Sequence, residues 1–210
     1  MVKIIEPSFE ILSPIDTDFV LRHLEMCGRT CYQSFDKADD TSHFRFLKHI
    51  VERHHESVLE HFSISVRFVT DRAIANELVR HRLASFSQES TRYCCYSKDK
   101  FGNEITVIKP SALDKSSPSY QIWLDTMNMI EKNYLSLVEQ GQKPETARAV
   151  LPCCLKTQIV TTANLREWRH IFKMRCCEAA HPDIRLLMNA LKKEFQKHIP
   201  IIFDDEEFNA

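Results

Sequence analysis

Apolar residues recur at helical spacing in several stretches of the chain and alternate with polar residues in one. Residues 62–68 (FSISVRF) alternate at period two, which predicts a strand with one buried face. In residues 42–55 the apolar positions form a stripe along one side of a predicted helix, with Ser42 as its N-cap. The stripe consists of Phe44, Leu47, Ile50 and Val51.

Capping residues and helix breakers place further elements along the chain. Helices are predicted over 17–26, from Thr70 or Asp71 to about residue 82, over 119–140 before Gly141, over 165–177 behind Asn164, and from Pro182 to about His198. Strands are predicted over 104–109 and 155–163, and an ordered polar loop over 83–99. Because strands and helices alternate irregularly, we expect an α+β fold. It would be a single domain over residues 1–210, with a mixed or antiparallel sheet, packed helices and a frayed acidic tail at 204–210.

The composition excludes several classes of protein. With 43% hydrophobic and 27% charged residues and a formal net charge of -1, the chain has no overall electrostatic bias toward nucleic acid or membranes. No long apolar run predicts a membrane span, and residues 1–13 are unlike a secretory signal, so we expect a cytoplasmic protein. The chain has three glycines, too few and too scattered for a G-x-G-x-x-G or Walker loop. Any nucleotide phosphate must therefore be bound by side chains.

The eight cysteines do not predict a zinc site or a disulfide framework. Three pairs are vicinal, at 94–95, 153–154 and 176–177, and the remaining two are Cys27 and Cys31. None of these has the repeated C-x2-C spacing of a zinc ribbon. In a reducing compartment most of them are expected to be small buried hydrophobic residues.

Candidate chemistry concentrates in residues 80–93 (RHRLASFSQESTRY), at the end of a predicted helix and the start of a loop. Three arginines, one histidine and three serines in this span are well suited to bind an anion, because guanidinium groups and hydroxyls are phosphate ligands. The alternative is a basic helix C-terminus followed by a solvated loop. Composition alone leaves both interpretations open.

The order of residues in this segment resembles a known family. Arg80-His81-Arg82, seven further residues and Ser90 match the RHR-x7-S motif of flavin-dependent thymidylate synthases. Four other blocks are similar to that family and follow the same order: residues 28–32 (GRTCY), 54–61 (HHESVLEH), 147–152 (ARAVLP) and 164–175 (NLREWRHIFKMR). The resemblance covers residues 28 to about 185.

The resemblance implies an activity and an assembly. Members of this family methylate dUMP to dTMP, with methylene-tetrahydrofolate as one-carbon donor, FAD as redox cofactor and NADPH as reductant. They are homotetramers with active sites at subunit junctions. Carried over by motif, the residues that would contact or support FAD are His55, Ser57, Glu60, Arg80, His81, Arg82, Gln88, Asn164, Leu165, Arg166 and His170. Those that would line the dUMP site are Glu77, Leu78, Val79, Arg80, Gln88, Glu89, Ser90, Thr91, Arg92, Arg148 and Arg175.

Two residues are the catalytic candidates that the resemblance implies, Arg175 and Ser90. The family uses an arginine against the uracil ring, and a guanidinium there would stabilise the anionic pyrimidine. No His–Asp relay pattern surrounds Ser90 in sequence, so we interpret it as a ligand of phosphate or base rather than a nucleophile.

Three positions vary within the family or depart from it. Relatives carry Glu in place of Gln88 and Gln in place of Glu77, and both exchanges alter the charge near an anionic ligand. Thr91 replaces a glycine of other members. A backbone N–H contact from Thr91 to phosphate requires a φ that threonine adopts.

Helical geometry gives a separate expectation for residues 165–177. At about 100° per residue, Arg166 and His170 lie on one face, and Arg175 lies on roughly the opposite one. A helix wedged between subunits would serve FAD with one face and substrate with the other. Trp168, Ile171 and Phe172 are expected to be core residues.

Two other classes of function are compatible with parts of the sequence. A metal hydrolase would use His54, His55, Glu60 and His61 as ligands, although H-E-x-x-H is absent and adjacent histidines rarely ligate together. A non-catalytic nucleotide- or RNA-binding module would use the same arginines on phosphates, but the broad basic face of such proteins is missing. We therefore expect no metal and no nucleic acid partner.

Overall fold

The computed structural model describes residues 1–204 of the chain. The strands are β1 (Lys3–Ile5), β2 (Ser8–Ile11), β3 (Ser63–Asp71), β4 (Ser85–Gln88), β5 (Thr106–Ile108) and β6 (Lys156–Asn164). The helices are α1 (Thr17–Thr30), α2 (Ser42–Glu52), α3 (Arg72–Leu78), α4 (Pro118–Glu139), α5 (Pro144–Ala147), α6 (Leu165–Arg175), α7 (Pro182–His198) and α8 (Pro200–Phe203). The mixed helix-and-sheet class is thereby confirmed. The prediction for the acidic tail lies, apart from Asp204, outside the described residues.

The chain forms two compact units, and each is assembled from three stretches of sequence. The first unit comprises Met1–Phe9, Arg67–Arg80 and Phe86–Val160, and the second comprises Glu10–Val66, His81–Ser85 and the chain from Thr161 onward. β1 and β5 pair in parallel as a two-stranded sheet, and the other strands form a sheet in the order β2-β3-β6-β4. The boundary of one domain over residues 1–210 stays a prediction.

Strand β3 has the alternation that the sequence predicts. Ile64, Val66 and Phe68 are fully buried, and the residues between them are partly exposed. The strand ends at Asp71, whose Oδ1 accepts a hydrogen bond of 2.7 Å from the backbone N–H of Ile74 and so caps α3. Helix α3 ends at Leu78, four residues before the predicted end.

The prediction of a polar loop over residues 83–99 is wrong near its start, because residues 85–88 form β4. The sequence Ser-Phe-Ser-Gln has a strand's alternation but little hydrophobicity, since β4 is only partly buried on one face. Strands β1 and β2 were also not predicted; both are short and half-exposed. Short edge elements of this kind carry weak sequence patterns.

Helix α2 corrects two details of the predicted stripe. Thr41 occupies the N-cap position, while Ser42 begins the helix and exchanges hydrogen bonds with the backbone of Asp39. Phe44 is 49% exposed, whereas His43 is fully buried. At about 100° per residue, His43 lies nearer than Phe44 to the centre of the buried stripe, which the other predicted members occupy.

Aromatic rings form much of the core of the second unit. Trp168 and Phe172 of α6 pack against Phe195 and Phe203, with ring centroids 5.1 to 5.9 Å apart. The indole N–H of Trp168 donates to the carbonyl of Ile64 at 3.0 Å, so its one polar group is satisfied. The prediction that Trp168, Ile171 and Phe172 are core residues is confirmed.

The first unit has a core of its own around α4 and β5. Its buried residues are Val2, Tyr96, Ile105, Val107, Met127, Tyr134, Ala147 and Leu155. Helix α4 begins behind Ser117, whose side chain accepts from the N–H of Tyr120, and ends before Gly141, which has a φ of 86°. Both ends therefore lie within one residue of their predicted positions.

The prediction that most cysteines are buried is wrong. Cys95 is buried, four are half-buried, and Cys31, Cys153 and Cys177 are exposed. In the pairs at 153–154 and 176–177 one thiol is half-buried and the other is exposed, whereas at 94–95 neither is exposed.

No helix within residues 1–204 combines the length and the apolar character that a membrane crossing requires.

Candidate functional site

Helix α6 and its N-cap hold half of the second unit's predicted site residues. Its N-cap is Asn164, as predicted, and the Oδ1 of that residue accepts from the backbone N–H of Glu167 at 2.8 Å. Leu165 is fully buried and its N–H donates to the carbonyl of Phe62, so its side chain belongs to the core. Arg166 and His170 are exposed on the helix surface.

Arg166 lies beside the short 3₁₀ segment Glu56–His61. Its guanidinium is 2.6 Å from a carboxylate oxygen of Glu60 and 3.6 Å from one of Glu56. Glu56 also pairs with the buried Arg169 at 3.0 Å. The structure thus brings together Glu60 and Arg166, which are far apart in sequence.

These residues fit a negatively charged cofactor such as FAD. His55 and Ser57 are exposed next to Glu60, and the side chain of Arg166 is 51% exposed. Exposed guanidinium, imidazole and hydroxyl groups are donors suited to a diphosphate. An arriving phosphate would compete with Glu60 for the guanidinium of Arg166.

His81 is the centre of a second cluster in the same unit. The Nε of Arg175 donates a hydrogen bond of 2.9 Å to Nε2 of His81. On the other side of the ring, Nδ1 lies 3.6 Å from a carboxylate oxygen of Glu167. The ring of His170 approaches edge-on at 5.9 Å between centroids. The side chains of His81 and Glu167 are both 6% exposed.

The surroundings of His81 favour its neutral form. Burial, followed by the positive charges of Arg175 and His170, lowers the pKa of His81 to about 4. Burial also raises the pKa of Glu167, against the opposing effect of His170. His81 is therefore uncharged near neutral pH and can accept a hydrogen bond from a guanidinium.

This cluster changes the interpretation of α6. Around the axis of α6, Arg175 and His170 start in different directions, as expected from helical geometry. Both side chains nevertheless reach His81 of the same chain. The long arginine side chain spans the angular difference. The helical-face argument for a subunit junction is therefore not needed to explain their positions.

The metal-hydrolase alternative is not supported. Within residues 1–204, one group of three or more His, Cys, Asp or Glu residues has ligand atoms within 4.8 Å of one another. It consists of His81, Glu167 and His170, and not of the four residues at 54–61. The guanidinium of Arg175 already donates to His81 in that group. A fixed positive charge at this distance opposes a second cation.

The lowered pKa of His81 predicts a loss of stability in acid. Because unfolded histidine binds its proton near pH 6.5 and folded His81 near pH 4, the unfolded state gains protons first as pH falls between these values. The free energy of unfolding should fall over this window by up to about 3 kcal/mol. The raised pKa of Glu167 has the opposite sign and offsets part of this fall.

Denaturant unfolding at pH 7, 6 and 5 tests this prediction. The His81→Gln variant should lose less stability than wild type between pH 7 and pH 5, whatever its stability at pH 7. Equal pH dependence in the two proteins would contradict the lowered pKa.

In the first unit, Ser90, Thr91 and Arg92 form a tight turn after β4. The carbonyl of Ser90 accepts from the N–H groups of Tyr93 and Cys94, and its hydroxyl accepts from the N–H of Arg92 at 3.3 Å. Within residues 1–204 the hydroxyl of Ser90 thus meets a backbone donor and not a base, in keeping with a ligand role.

Arg148 lies against this turn, as expected for a residue joining it from another part of the chain. Its guanidinium donates to the hydroxyl of Thr91 at 3.1 Å, and that of Arg92 lies 3.7 Å from Glu145. Within residues 1–204 the non-glycine residues with positive φ are Gln33, His54 and Asn103. Thr91 therefore has a backbone conformation that a threonine adopts without strain.

Some predicted substrate ligands have side chains already engaged within the first unit. The carboxylate of Glu89 accepts from Tyr96 at 2.9 Å and pairs with Lys156 at 2.7 Å. Gln88 donates to Thr157 at 3.3 Å, and Leu78 is buried. Glu77 is half-buried, and Val79, Arg80 and Arg82 are exposed. The roles of all these residues toward a ligand stay predictions.

Glu167 is the member of the His81 cluster that the sequence did not indicate. Asn164-x-x-Glu167 matches the capping pattern of a helix start, which assigns the carboxylate a purely local role. Its burial beside His81 depends on contacts more than 80 residues away in sequence. The sequence did offer one signal for Glu167, an acidic residue placed among the apolar residues of the inward face of the helix.

Comparisons with known proteins agree with the resemblance. Residues 17–201 match the family model described as thymidylate synthase complementing protein. A flavin-dependent thymidylate synthase of Geobacter sulfurreducens is 34% identical, over 86% of this chain and 79% of that protein. Those of Corynebacterium aurimucosum (34%; 87% and 78%) and Pyrococcus furiosus (32%; 88% and 75%) are similar over comparable lengths.

A solved structure shares the fold. The UMP/dUMP methylase PolB from Streptomyces cacaoi, bound with 5-Br UMP, superposes with a TM-score of 0.75 at 19% identity, over 97% of this chain and 95% of that chain. Its complex with 5-Br dUMP gives the same TM-score.

Proposed function

The chain belongs to the family of flavin-dependent thymidylate synthases, and we propose from this that it methylates dUMP to dTMP. Methylene-tetrahydrofolate is the one-carbon donor, FAD the redox cofactor and NADPH the reductant, and the reaction takes place in the cytoplasm. The observation that carries the proposal is the ordered match of the family over most of the chain, which includes the arginine-rich segment at 80–92.

Residues of the second unit would hold the cofactor. Arg166, His55 and Ser57 offer exposed donors for the diphosphate, and His170 and Arg82 are further exposed cationic or neutral donors. Bound FAD would supply the reducing equivalents that turn a transferred one-carbon unit into a methyl group. Before the cofactor binds, ion pairs with Glu60 and Glu56 orient the guanidinium of Arg166.

Residues of the first unit would hold the nucleotide phosphate. The turn at Ser90–Arg92 offers the hydroxyl of Ser90, and the guanidinium groups of Arg92 and Arg148 add positive charge. Side chains thus replace the glycine-rich loop that this sequence cannot form.

Arg175 would act on the pyrimidine. The carbon at position 5 of uracil becomes nucleophilic when negative charge is stabilised on the ring nitrogen and carbonyl oxygen. A guanidinium provides that charge and cannot lose its proton at neutral pH. The neutral His81 accepts a hydrogen bond from Arg175 without adding a negative charge to it.

We also propose that the active form is a homotetramer, as in the resembled family. Light scattering of the purified protein should give a mass four times that of the 24.6 kDa chain.

A visible absorbance spectrum of the purified protein with added FAD tests the function. After removal of free FAD, the protein should retain flavin bands, and these should bleach under anaerobic NADPH more rapidly when dUMP is present. In the Arg166→Gln variant the retained flavin should fall at least about tenfold. Lys193→Gln, which removes an exposed positive charge on α7, is the matched control and should retain flavin like wild type.

Absence of both retained flavin and bleaching in the wild-type protein would overturn the proposal. Salt-dependent binding to RNA would then identify the arginine cluster as part of a nucleic-acid-binding module, and metal analysis would test the His81 group as a cation site.

A further inference from the structure

Glu167 is a buried carboxyl group that the proposed reaction does not yet use. It lies in the first turn of α6, and its side chain is as inaccessible as that of His81. A carboxyl group so far from water is costly unless it meets a polar partner. Its side-chain partner is Nδ1 of His81, at 3.6 Å.

The hydrogen bond from Arg175 and the nearby carboxyl group of Glu167 bear on the tautomer of the His81 ring. The Nε of Arg175 carries a hydrogen and has no lone pair to offer, so Nε2 of His81 must be the acceptor in their 2.9 Å contact. A neutral imidazole with an unprotonated Nε2 carries its proton on Nδ1, which faces Glu167. An oxygen of Glu167 lies 3.6 Å from this nitrogen, beyond hydrogen-bond distance, and its negative partial charge favours the proton on Nδ1 electrostatically.

We propose that Glu167 is a positioning residue which, by fixing the tautomer of His81, holds the guanidinium of Arg175 in the orientation that the reaction uses. The chain of contacts runs from carboxyl to imidazole to guanidinium, through side chains that are largely removed from solvent. With the opposite tautomer, two N–H groups would face each other between His81 and Arg175, and the guanidinium would turn away. The catalytic part of this inference rests on the proposed function.

Neither alternative role accounts for this geometry. A helix cap needs no contact with His81, and the N-cap bond is already made between the Asn164 side chain and the Glu167 backbone N–H. A metal site would require Nε2 or Nδ1 of His81 as a ligand, and Arg175 and Glu167 engage both ring nitrogens.

NMR of protein labelled with ¹⁵N in its histidines reads the tautomer directly, without any ligand. In the wild type near pH 7, His81 should show a protonated Nδ1 and an unprotonated Nε2, with the signal assigned by its loss in His81→Gln. In Glu167→Met, which keeps the side-chain length but offers no acceptor oxygen, a form protonated on Nε2 should appear.

Kinetics then connect the tautomer to turnover. Loss of a group that orients a functional residue costs about 10- to 100-fold, so kcat for dTMP formation should fall by about that factor in Glu167→Met. The KM for dUMP should change by less than about threefold, because binding to the phosphate would be intact. Glu167→Gln, which keeps an acceptor oxygen, should recover part of the rate. Glu178→Gln, a matched loss of an exposed carboxylate just after α6, should behave like wild type.

The outcomes separate this inference from the proposed function. A wild-type His81 that is protonated on Nε2 overturns the positioning role even if no variant folds. An altered tautomer in Glu167→Met with an unchanged kcat also overturns it. If the wild type makes no dTMP at all, the proposed function fails, while the NMR comparison still decides whether Glu167 sets the tautomer of His81.

Discussion

Replacing Arg175 with alanine is expected to lower the rate of dTMP formation by about 100- to 1,000-fold, the usual cost of removing one preorganised charged donor. Most FAD should be retained, because the ion pair of Arg166 with Glu60, which we assign to the cofactor, does not involve Arg175; of the residues assigned to FAD, His81 accepts a hydrogen bond from Arg175. The loss should appear in kcat more than in the KM for dUMP. Steady-state assays of dTMP, together with the flavin spectrum of the same preparation, measure both effects.

Two further variants make this test specific. Arg175→Lys keeps the positive charge but has no Nε to donate to His81, so its rate should lie between those of Arg175→Ala and wild type. Lys173→Ala removes a neighbouring cation from the exposed part of the same last turn and should leave the rate nearly unchanged. Wild-type rates in Arg175→Ala would exclude this residue from catalysis.

The second large effect concerns stability, in the block at residues 28–32. Arg29 is buried and its guanidinium donates twice to one oxygen of Glu25, at 2.9 and 2.7 Å, and to the carbonyls of Ser34 and Lys37, both at 3.0 Å. It also lies over the ring of Phe46. Arg29→Ala would leave the buried carboxylate of Glu25 and two carbonyls without their donor. We expect the free energy of unfolding to fall by about 3–5 kcal/mol.

The same helix supplies the control. Asp18 and Arg22 of α1 have the same i,i+4 spacing as Glu25 and Arg29, but both are substantially exposed. Arg22→Ala should therefore change stability little, because solvent screens an exposed pair. Adding Glu25→Met to the Arg29 variant should recover part of the loss, since it removes the unpaired charge. Chemical denaturation measures the free energy of unfolding of the wild type, Arg22→Ala, Arg29→Ala and the double variant Glu25→Met with Arg29→Ala. Equal losses of stability in Arg22→Ala and Arg29→Ala would refute the burial argument.

The buried contacts of Arg29 give one of the family blocks a structural role. Residues 28–32 are one of the blocks that resemble the family, yet the structure gives Arg29 a role in holding the chain after α1. Gly28 has a similar reason for its identity, because a Cβ there would lie 2.7 Å from the ring of Phe46. A motif shared with a family thus contains packing residues as well as ligands.

Local patterns were sufficient for the long elements. The alternation in β3, the caps at Asp71 and Asn164, and the Pro and Gly that bound α4 each act within a few residues, so the sequence predicts them without tertiary context. The short strands β1, β2 and β4 were missed because three or four half-exposed residues become a strand only when a partner strand pairs with them. The burial of His43 in place of Phe44 likewise depended on what α2 packs against.

The sequence by itself determined the family, the arginine-rich segment and the need for side chains to bind phosphate, because motif spacing and a shortage of glycine are properties of the linear chain. It also identified Arg175 and His81 as separate candidates through resemblance. Only the tertiary structure joined them, since the 2.9 Å bond between them links residues 94 positions apart. It also revealed Glu167 behind His81, because the tautomer of an imidazole depends on the groups at both of its nitrogens. Such a relation exists only in three dimensions.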